Sequence, residues 1–304
     1  MEWCADTLIV VTGPTAVGKT DLCLQIARQY GIPVINADSR QIYRGLTIGT
    51  AAPTEEQQRG VRHYFVGSLP LDHYYNAAMY EHDVMALLAR LFPQSPHRVA
   101  LLSGGSMMYI DAVCNGIDDI PTITPETRAA VRQQLEERGL DSLCDDLRRL
   151  DPQHFETVDK RNTRRVVHAL EICLQTGKPY SSFLLGKGKR RPFRIVKIAL
   201  SRHREALYER INKRVDRMVE NGLVEEARHL FKYSGLNALN TVGYKELFDY
   251  FRGRWPLTEA IERIKGNTRR YARKQLTWLK RDKSITWFDA DNTQLILNHI
   301  AQQL

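Results

Sequence analysis

The sequence predicts an α/β fold in which a parallel sheet flanked by helices carries an all-helical inserted subdomain. Short apolar strands alternate with amphipathic helices towards both ends of the chain, which is the pattern of βαβ units. Between them, residues 126–176 show only helical periodicity. A run of helices that interrupts an alternating α/β chain indicates an insertion. We therefore expect an α/β core formed by residues 1–117 and 193–304, and a helical insertion with its hinge at 118–192.

The strongest local signal lies at the start of the chain, where residues 7–11 have the composition of a buried parallel strand. The strand leads into Gly-Pro-Thr-Ala-Val-Gly-Lys-Thr, and a helical pattern follows. This order matches G-x-x-x-x-G-K-[ST], a loop whose backbone N–H groups and following helix N-terminus hold phosphate. Lys19 would place a charge on a terminal phosphate, and the Thr20 hydroxyl is a candidate Mg²⁺ ligand. The predicted phosphate-binding residues are Gly13, Pro14, Thr15, Ala16, Val17, Gly18, Lys19 and Thr20.

A glycine-rich turn with a surface lysine is the alternative for this loop. The flanking strand and helix favour a phosphate site, and with it a P-loop NTPase-like core. The loop alone does not show which phosphate compound binds or what reaction that compound undergoes.

An acidic residue follows the second predicted strand, residues 33–36. Ligands of open α/β sheets meet the carboxyl ends of the strands, so Asp38 should emerge beside the P-loop. A carboxylate in that place suits a general base that takes a proton from a substrate. Alternatively, Asp38 and Ser39 cap a helix that begins near Gln41, and the two roles are compatible.

The third core strand, residues 99–102, ends in Ser-Gly-Gly-Ser and carries no Walker-B aspartate. This weakens the interpretation as a motor or GTPase, which needs that acid for Mg²⁺. Two hypotheses remain. One is a phosphotransferase acting on a small molecule, with Asp38 as base. The other is an enzyme that uses the P-loop for a diphosphate leaving group, and spacing alone does not separate them.

The other elements of the core follow from hydrophobic periodicity and from helix start and stop signals. The predicted strands are residues 63–66, 193–200 and 285–288. The predicted helices are residues 76–92, 107–115, 203–221, 223–233, 246–251, 256–280 and 294–304.

Composition narrows the class of protein. The 304 residues are 43% hydrophobic and 26% charged, which is typical of a soluble globular chain. No apolar stretch approaches a membrane span and no signal segment is evident, so we expect a cytoplasmic protein without membrane contact. The five cysteines are scattered without a C-x-x-C pair, which favours neither a zinc site nor a disulfide framework.

The formal net charge of +9 points to a polyanionic partner. On charge alone, a nucleic-acid partner and the absence of one are equally favoured. Residues 160–165 hold a run of basic side chains without an acid, which favours contacts with a phosphate backbone over a solvated face. Arg210, Arg214 and Arg217 share one face of a helix, although neighbouring acids offer surface ion pairs instead. The helix at 256–280 suits either an RNA surface or a core helix with basic side chains outside.

Several blocks resemble the tRNA dimethylallyltransferase family, also called tRNA isopentenyltransferases. They are the P-loop, residues 36–44 (NADSRQIYR), 104–109 (GGSMMY), 161–164 (RNTR), 242–244 (VGY) and 268–278 (TRRYARKQLTW). They occur in the family's order from about residue 8 to 290. The resemblance implies transfer of a dimethylallyl group from dimethylallyl diphosphate to N6 of adenosine 37, next to the anticodon, in tRNAs that read codons starting with U. It also implies that the P-loop holds the donor's diphosphate, with Mg²⁺.

The resemblance implies roles for individual residues. Asp38 matches the family's general base, Arg214 matches an arginine that neutralises the leaving group, and Lys19 and Thr20 match residues on the diphosphate and the metal. The residues that fall on the family's tRNA contacts are Asp38, Ser39, Arg40, Gln41, Ser106, Arg128, Lys160, Arg161, Asn162, Thr163, Arg164, Asn240, Thr241, Val242, Gly243, Tyr244 and Lys245.

The chain departs from the family pattern at a few of these positions. Lys160, Asn240 and Lys245 replace Gln, Arg and Arg, which puts local tRNA contacts in doubt but not the activity. The absence of a C-terminal zinc finger resembles bacterial members, and we expect a monomer that binds the anticodon stem-loop. The alternatives are an adenylate isopentenyltransferase acting on free AMP, a P-loop kinase for a small metabolite and, least favoured, a non-enzymatic RNA-binding module.

Overall fold

A six-stranded parallel sheet forms the centre of the larger of two compact units in the computed structural model, which describes residues 6–186 and 188–304. The strand order is β3-β2-β4-β1-β5-β6. The strands are β1 Thr7–Thr12, β2 Val34–Asn36, β3 His63–Tyr64, β4 Val99–Ser103, β5 Arg194–Ser201 and β6 Thr286–Asp289. All six residues of β1 are buried, because parallel strands covered by helices on both faces are apolar throughout.

Side chains of β1 alternate between two apolar clusters. Leu8 and Val10 belong to the larger cluster, whereas Ile9 and Val11 pack into the second one with helix α1. The sheet is therefore covered on both faces, and the carboxyl ends of its strands supply the edge at which a ligand site forms. The helices beside the sheet are α1 Lys19–Tyr30, α2 Glu55–Gly60, α3 Ala77–Gln94, α4 Met107–Asn115, α8 Arg204–Glu220, α9 Leu223–Leu230, α10 Tyr244–Phe251, α11 Leu257–Leu279 and α12 Thr293–Gln303.

Residues Gly116–Lys189 form a separate compact unit, and the rest of the chain forms the other. The separate unit is helical in the part that the structure describes, with α5 Pro125–Leu150, α6 Pro152–Thr157, α7 Thr163–Thr176 and a short 3₁₀ turn at Tyr180–Phe183. It has its own apolar cluster, in which α5 and α7 pack together through side chains that include Leu143, Leu147 and Leu170.

The α/β class and the predicted core strands and helices are confirmed, with bounds shifted by a residue or two. Two local expectations were wrong. Residues around Gln41 form turns instead of a helix, because the Asp38 carboxylate bonds to the turn itself. The helices at Glu55–Gly60 and Pro152–Thr157 were missed because each is short and has no buried residue, so no apolar period marks it. Helix α5 is interrupted at Gly139, whose φ of 75° is not helical and kinks the helix.

No helix in the described residues is long and apolar enough to cross a membrane.

Candidate active site

The P-loop connects β1 to α1 in a conformation that requires glycine at its first position. Gly13 has a φ of 142°, and a Cβ there would lie 2.8 Å from the carbonyl oxygen of Leu200 on β5. Any side chain would force the loop away from the sheet. Gly18 adopts a left-handed conformation directly before α1, so the chain turns sharply into the helix. The two glycines of the motif therefore set the curvature of the loop.

Two arginines hold the outer side of the loop. Arg210 Nε donates to the carbonyl oxygen of Ala16 at 2.9 Å, and Arg202 Nε donates to that of Val17 at the same distance. Ala16 carries a φ of 64°, an uncommon conformation for a residue with a side chain. The two guanidinium groups thus fix the orientation of neighbouring peptide groups in a loop whose backbone conformation is unfavourable on its own.

Lys19 points back into the P-loop. Its ammonium donates to the carbonyl oxygens of Gly13 at 2.9 Å and Pro14 at 2.8 Å. Burial and the positive charge of Arg214 on α8 together lower the pKa of Lys19 to about 8. Burial also lowers the pKa of Arg214, while the charge of Asp38 opposes that shift. The structure therefore gathers two half-buried cations and one carboxylate at this edge of the sheet, and the cations suit an anion.

Asp38 lies half-buried just beyond β2. Its Oδ1 accepts hydrogen bonds from the backbone N–H groups of Arg40 at 2.9 Å and Gln41 at 3.2 Å. Oδ2 faces the Gly-Gly-Ser corner (Gly104–Ser106), 3.9 Å from the place of a Cβ on Gly105. One oxygen thus anchors the turn, and the other is directed at the corner that follows β4.

The Gly-Gly-Ser corner fits against the end of β2. A Cβ on Gly104 would lie 2.1 Å from the carbonyl oxygen of Ala37, so only glycine permits this approach. Ser106 Oγ accepts from the N–H of Ser39 at 2.8 Å and donates to the Ser39 hydroxyl at 3.1 Å. Ser106, predicted only as an RNA contact, therefore also orients the residue beside Asp38.

The segment 38–51, here called the Asp38 loop, is fixed by long-range hydrogen bonds. Arg40 Nη1 donates to the carbonyl oxygen of Asn237 at 2.6 Å, and the amide of Gln41 donates to the carbonyl oxygens of Thr50 and Ala51. The predicted contact residues Arg40 and Gln41 thus spend much of their hydrogen-bonding capacity inside the protein.

Glu226 on α9 is a functional candidate that sequence analysis missed. Its carboxylate accepts five hydrogen bonds, from the N–H and hydroxyl of Thr47, the N–H groups of Ile48 and Gly49 and the hydroxyl of Tyr244. A glutamate on an amphipathic helix has no pattern that separates it from a surface acid, because its partners lie far away in the sequence.

The segment 240–245 has both exposed and buried members. Asn240 and Lys245 are exposed, whereas Gly243 is buried and Tyr244 is 0% exposed with its hydroxyl on Glu226. The Tyr244 side chain, predicted to contact RNA, is therefore enclosed in the protein. Gly49 makes room for it, since a Cβ there would lie 2.6 Å from the Tyr244 ring. Thr241 and Val242 are half-buried between these extremes.

The remaining predicted RNA contacts lie in the helical unit. Arg128 is exposed in the first part of α5. Lys160, Arg161 and Arg164 are exposed around the start of α7, where the Asn162 side chain accepts from the N–H of Arg165 at 3.3 Å and caps the helix. Thr163 is the first helical residue. Asn162 thus has a structural role, and the charged side chains form the exposed surface.

Thr20 is exposed in the first turn of α1. Within the described ranges, no three His, Cys, Asp or Glu side chains group as a metal cage. Mg²⁺ that bridges phosphates keeps several waters and needs few protein ligands, so a hydroxyl at this position fits such an ion.

Comparison with known proteins gives a consistent result. The family model for IPP transferase matches residues 41–282. The tRNA dimethylallyltransferase 2 of Parabacteroides distasonis is 55% identical over 98% of this chain and 99% of its own length. The tRNA dimethylallyltransferase 1 of Phocaeicola vulgatus is 56% identical over 97% and 98%.

Solved structures agree in fold. The crystal structure of a tRNA isopentenylpyrophosphate transferase from Bacillus halodurans is 34% identical, with a TM-score of 0.70 over 98% of this chain and 96% of that one. A eukaryotic dimethylallyltransferase acting on tRNA, 24% identical, shares the fold with a TM-score of 0.78 over 94% of this chain and 74% of its own. Together with the P-loop, the two half-buried cations and Asp38, these matches show that the chain belongs to the IPP transferase family, which includes the tRNA dimethylallyltransferases.

Proposed function

We propose that the protein transfers a dimethylallyl group from dimethylallyl diphosphate to N6 of adenosine 37 in tRNAs that read codons starting with U. The observation that carries the proposal is the meeting of Lys19, Arg214 and Asp38 at the carboxyl ends of β1 and β2. Half-buried cations suit a leaving diphosphate, and a carboxylate suits an amine that loses a proton. The names of relatives more than 50% identical over nearly the whole chain support the same reaction.

The P-loop backbone, Lys19 and Arg214 bind the diphosphate of the donor in this proposal. Diphosphate leaves readily only when its growing charge is neutralised, and fixed cations in a site shielded from water do this best. Mg²⁺, if held by the Thr20 hydroxyl, would supply further positive charge to the leaving diphosphate.

Asp38 accepts the proton from the N6 amine of adenine. As the new C–N bond forms, the C–O bond to diphosphate breaks, the proton moves to Asp38 and the electron pair leaves with the diphosphate. The hydrogen bonds from Arg40 and Gln41 hold the carboxylate in a turn with one oxygen directed at the Gly-Gly-Ser corner. The half-buried side chains of Ser39, Arg40 and Ser106 around it are the proposed contacts with the target nucleotide.

The acceptor is proposed to be the anticodon stem-loop of tRNA. Adenosine 37 has to leave the loop's stack before its amine reaches a carboxylate at the sheet edge. The exposed basic side chains suit phosphates, with Lys245 in the core unit and Arg128, Lys160, Arg161 and Arg164 in the helical unit, and the exposed amide of Asn240 can donate to a phosphate. Gly243 and Tyr244 support their segment from inside. We propose that the protein acts as a cytoplasmic monomer, since one chain supplies every named group and tRNA is a cytoplasmic substrate.

One assay separates the candidate functions. Radiolabelled dimethylallyl diphosphate is supplied with unmodified tRNA, with AMP and with ATP. We expect label in tRNA alone. Label in AMP but not in tRNA would favour an adenylate isopentenyltransferase, and ATP consumption without prenyl transfer would favour a kinase.

A further inference from the structure

Gln275 is a buried, uncharged polar residue in the otherwise basic helix α11. It is 1% exposed, although the two residues before it in the sequence, Arg273 and Lys274, are basic and exposed. A buried amide destabilises the fold unless both its oxygen and its nitrogen find partners. The partners of Gln275 therefore indicate why the residue is there.

The two ends of the Gln275 amide bond to two different parts of the site. Its Oε1 accepts from the N–H of Thr15 in the P-loop at 2.9 Å. Its Nε2 donates to the carbonyl oxygen of Gly105 in the Gly-Gly-Ser corner at 2.8 Å. A Cβ on Gly105 would lie 2.8 Å from Nε2, so glycine is what lets the amide sit between the two segments.

From Gly105 the connection continues to the proposed base. The next residue, Ser106, accepts from the N–H of Ser39, and Ser39 is adjacent to Asp38. The hydroxyl of Tyr271, one turn before Gln275 on α11, donates to the same Gly105 carbonyl oxygen at 3.0 Å. Helix α11 thus fixes the Gly-Gly-Ser corner twice, and it reaches the P-loop through Gln275.

We infer that Gln275 is a positioning residue that couples the occupancy of the P-loop to the placement of Asp38 and the acceptor base. The inference rests on the function proposed above. The N–H groups of the P-loop are the proposed ligands of the donor's diphosphate, and Gln275 holds one of them at Thr15. When diphosphate binds, the hydrogen bonding of the Thr15 N–H group changes, and the rigid Gln275 amide transmits this change to Gly105. Ser106 then transmits it to Ser39, the residue beside Asp38.

Coupling of this kind has a thermodynamic signature, because two linked sites change each other's affinity by the same factor. A residue that only stabilised the fold would weaken both sites without changing that factor. The ratio of affinities therefore reports on coupling, whereas a loss of activity alone does not.

The test uses two probes with the full chain and Mg²⁺. Dimethylallyl S-thiolodiphosphate serves as an unreactive donor, and an unmodified anticodon stem-loop RNA serves as acceptor. Calorimetry gives the Kd of the thiolodiphosphate with and without saturating RNA. In the wild type we expect RNA to tighten donor binding by about 5-fold or more, within the usual range of coupling between sites.

Gln275→Met has a similar length and removes both hydrogen bonds. We expect it to bind each probe but to lower the coupling factor to about 2 or less, below the usual range. Gln294→Met, at an exposed position of α12, is the matched control and should keep the wild-type factor. If the methionine variant is unfolded by circular dichroism, Gln275→Glu is used instead, because it keeps an oxygen for Thr15 and loses the donor to Gly105. It should also lose coupling.

A folded Gln275 variant whose coupling factor equals that of the wild type would overturn the inference. A wild-type protein in which RNA does not tighten donor binding, with a coupling factor of one or below, would also overturn it. The labelling assay keeps the two proposals apart. Wild-type protein that prenylates tRNA without coupling contradicts only the role of Gln275, whereas failure to prenylate tRNA contradicts the proposed function.

Discussion

The hydroxyl of Tyr244 donates to Oε1 of Glu226 at 2.7 Å, and the same oxygen accepts from the N–H of Gly49 at 2.8 Å. A tyrosine from a segment expected at the RNA surface thus completes an internal network. The network fixes the far end of the Asp38 loop, whose near end is held by Arg40 and Gln41. The position of the Asp38 loop, on the acceptor side of the site, therefore depends on groups that need not touch the substrate.

Glu226→Gln tests this network. The carboxamide has one accepting oxygen instead of two and turns N–H donors towards the N–H groups of the loop. Since an unsatisfied buried hydrogen bond costs about 1–3 kcal/mol, we expect kcat/KM for tRNA to fall by about 5- to 150-fold. The KM for dimethylallyl diphosphate should stay within about twofold, because the P-loop makes none of these bonds. Glu225→Gln, one residue away and exposed, is the control. A rise in donor KM with normal tRNA kinetics would argue against this role.

Lys19 gives the reaction an alkaline limit. The ammonium form binds diphosphate, and burial lowers its pKa from 10.5 to about 8 in the free protein. Below about pH 8 the charge is present, and as the pH rises through that value it is lost. We therefore expect kcat/KM for the donor to be level below about pH 7.5 and to fall above about pH 8.5 by up to tenfold per pH unit. Initial rates from pH 6 to 10 measure this, and a profile that stays flat to pH 10 would exclude the assignment.

Arg214→Gln removes the second cation of the proposed diphosphate site. Loss of one group that stabilises the developing charge typically lowers kcat by about 10²–10³-fold, and we expect a loss of this size. Because Arg214 lowers the pKa of Lys19, the alkaline limit should also move to higher pH in the variant. Lys213→Gln, exposed on the same helix, should change neither quantity. A fall in kcat without movement of the limit would place Arg214 away from Lys19.

A buried ion pair in the core unit should dominate a stability comparison. Arg191 Nη2 lies 2.6 Å from Glu81 Oε1, and both side chains are 7% exposed. Breaking such a pair leaves a buried charge without its counterion, so Glu81→Ala should lower the free energy of unfolding by about 3–5 kcal/mol. Glu55→Ala, at an exposed pair with Arg59, should change it by less than about 1 kcal/mol. Urea unfolding measures both, and equal losses would refute the burial argument.

The sequence predicted the parts of the site that have a local signature. The P-loop is a contiguous motif between a strand and a helix, and Asp38 follows a strand, so chain order alone places both at one edge of the sheet. Glu226 and Gln275 were missed because their partners lie about 180 and 260 residues away. The burial of Tyr244 was missed because an aromatic residue at the start of a helix looks alike in the sequence whether it faces RNA or a carboxylate.

Asp38→Asn offers the most direct test of the proposed chemistry. The amide keeps an oxygen for the N–H groups of Arg40 and Gln41 but does not accept a proton at neutral pH. The measurement is single-turnover transfer of radiolabelled dimethylallyl to unmodified tRNA, together with the Kd for that tRNA. We predict that the transfer rate falls by about 10²–10⁴-fold, the usual contribution of a general base, while tRNA binding changes by less than about threefold. A variant that transfers the label at close to the wild-type rate would contradict the assignment of Asp38 as the base.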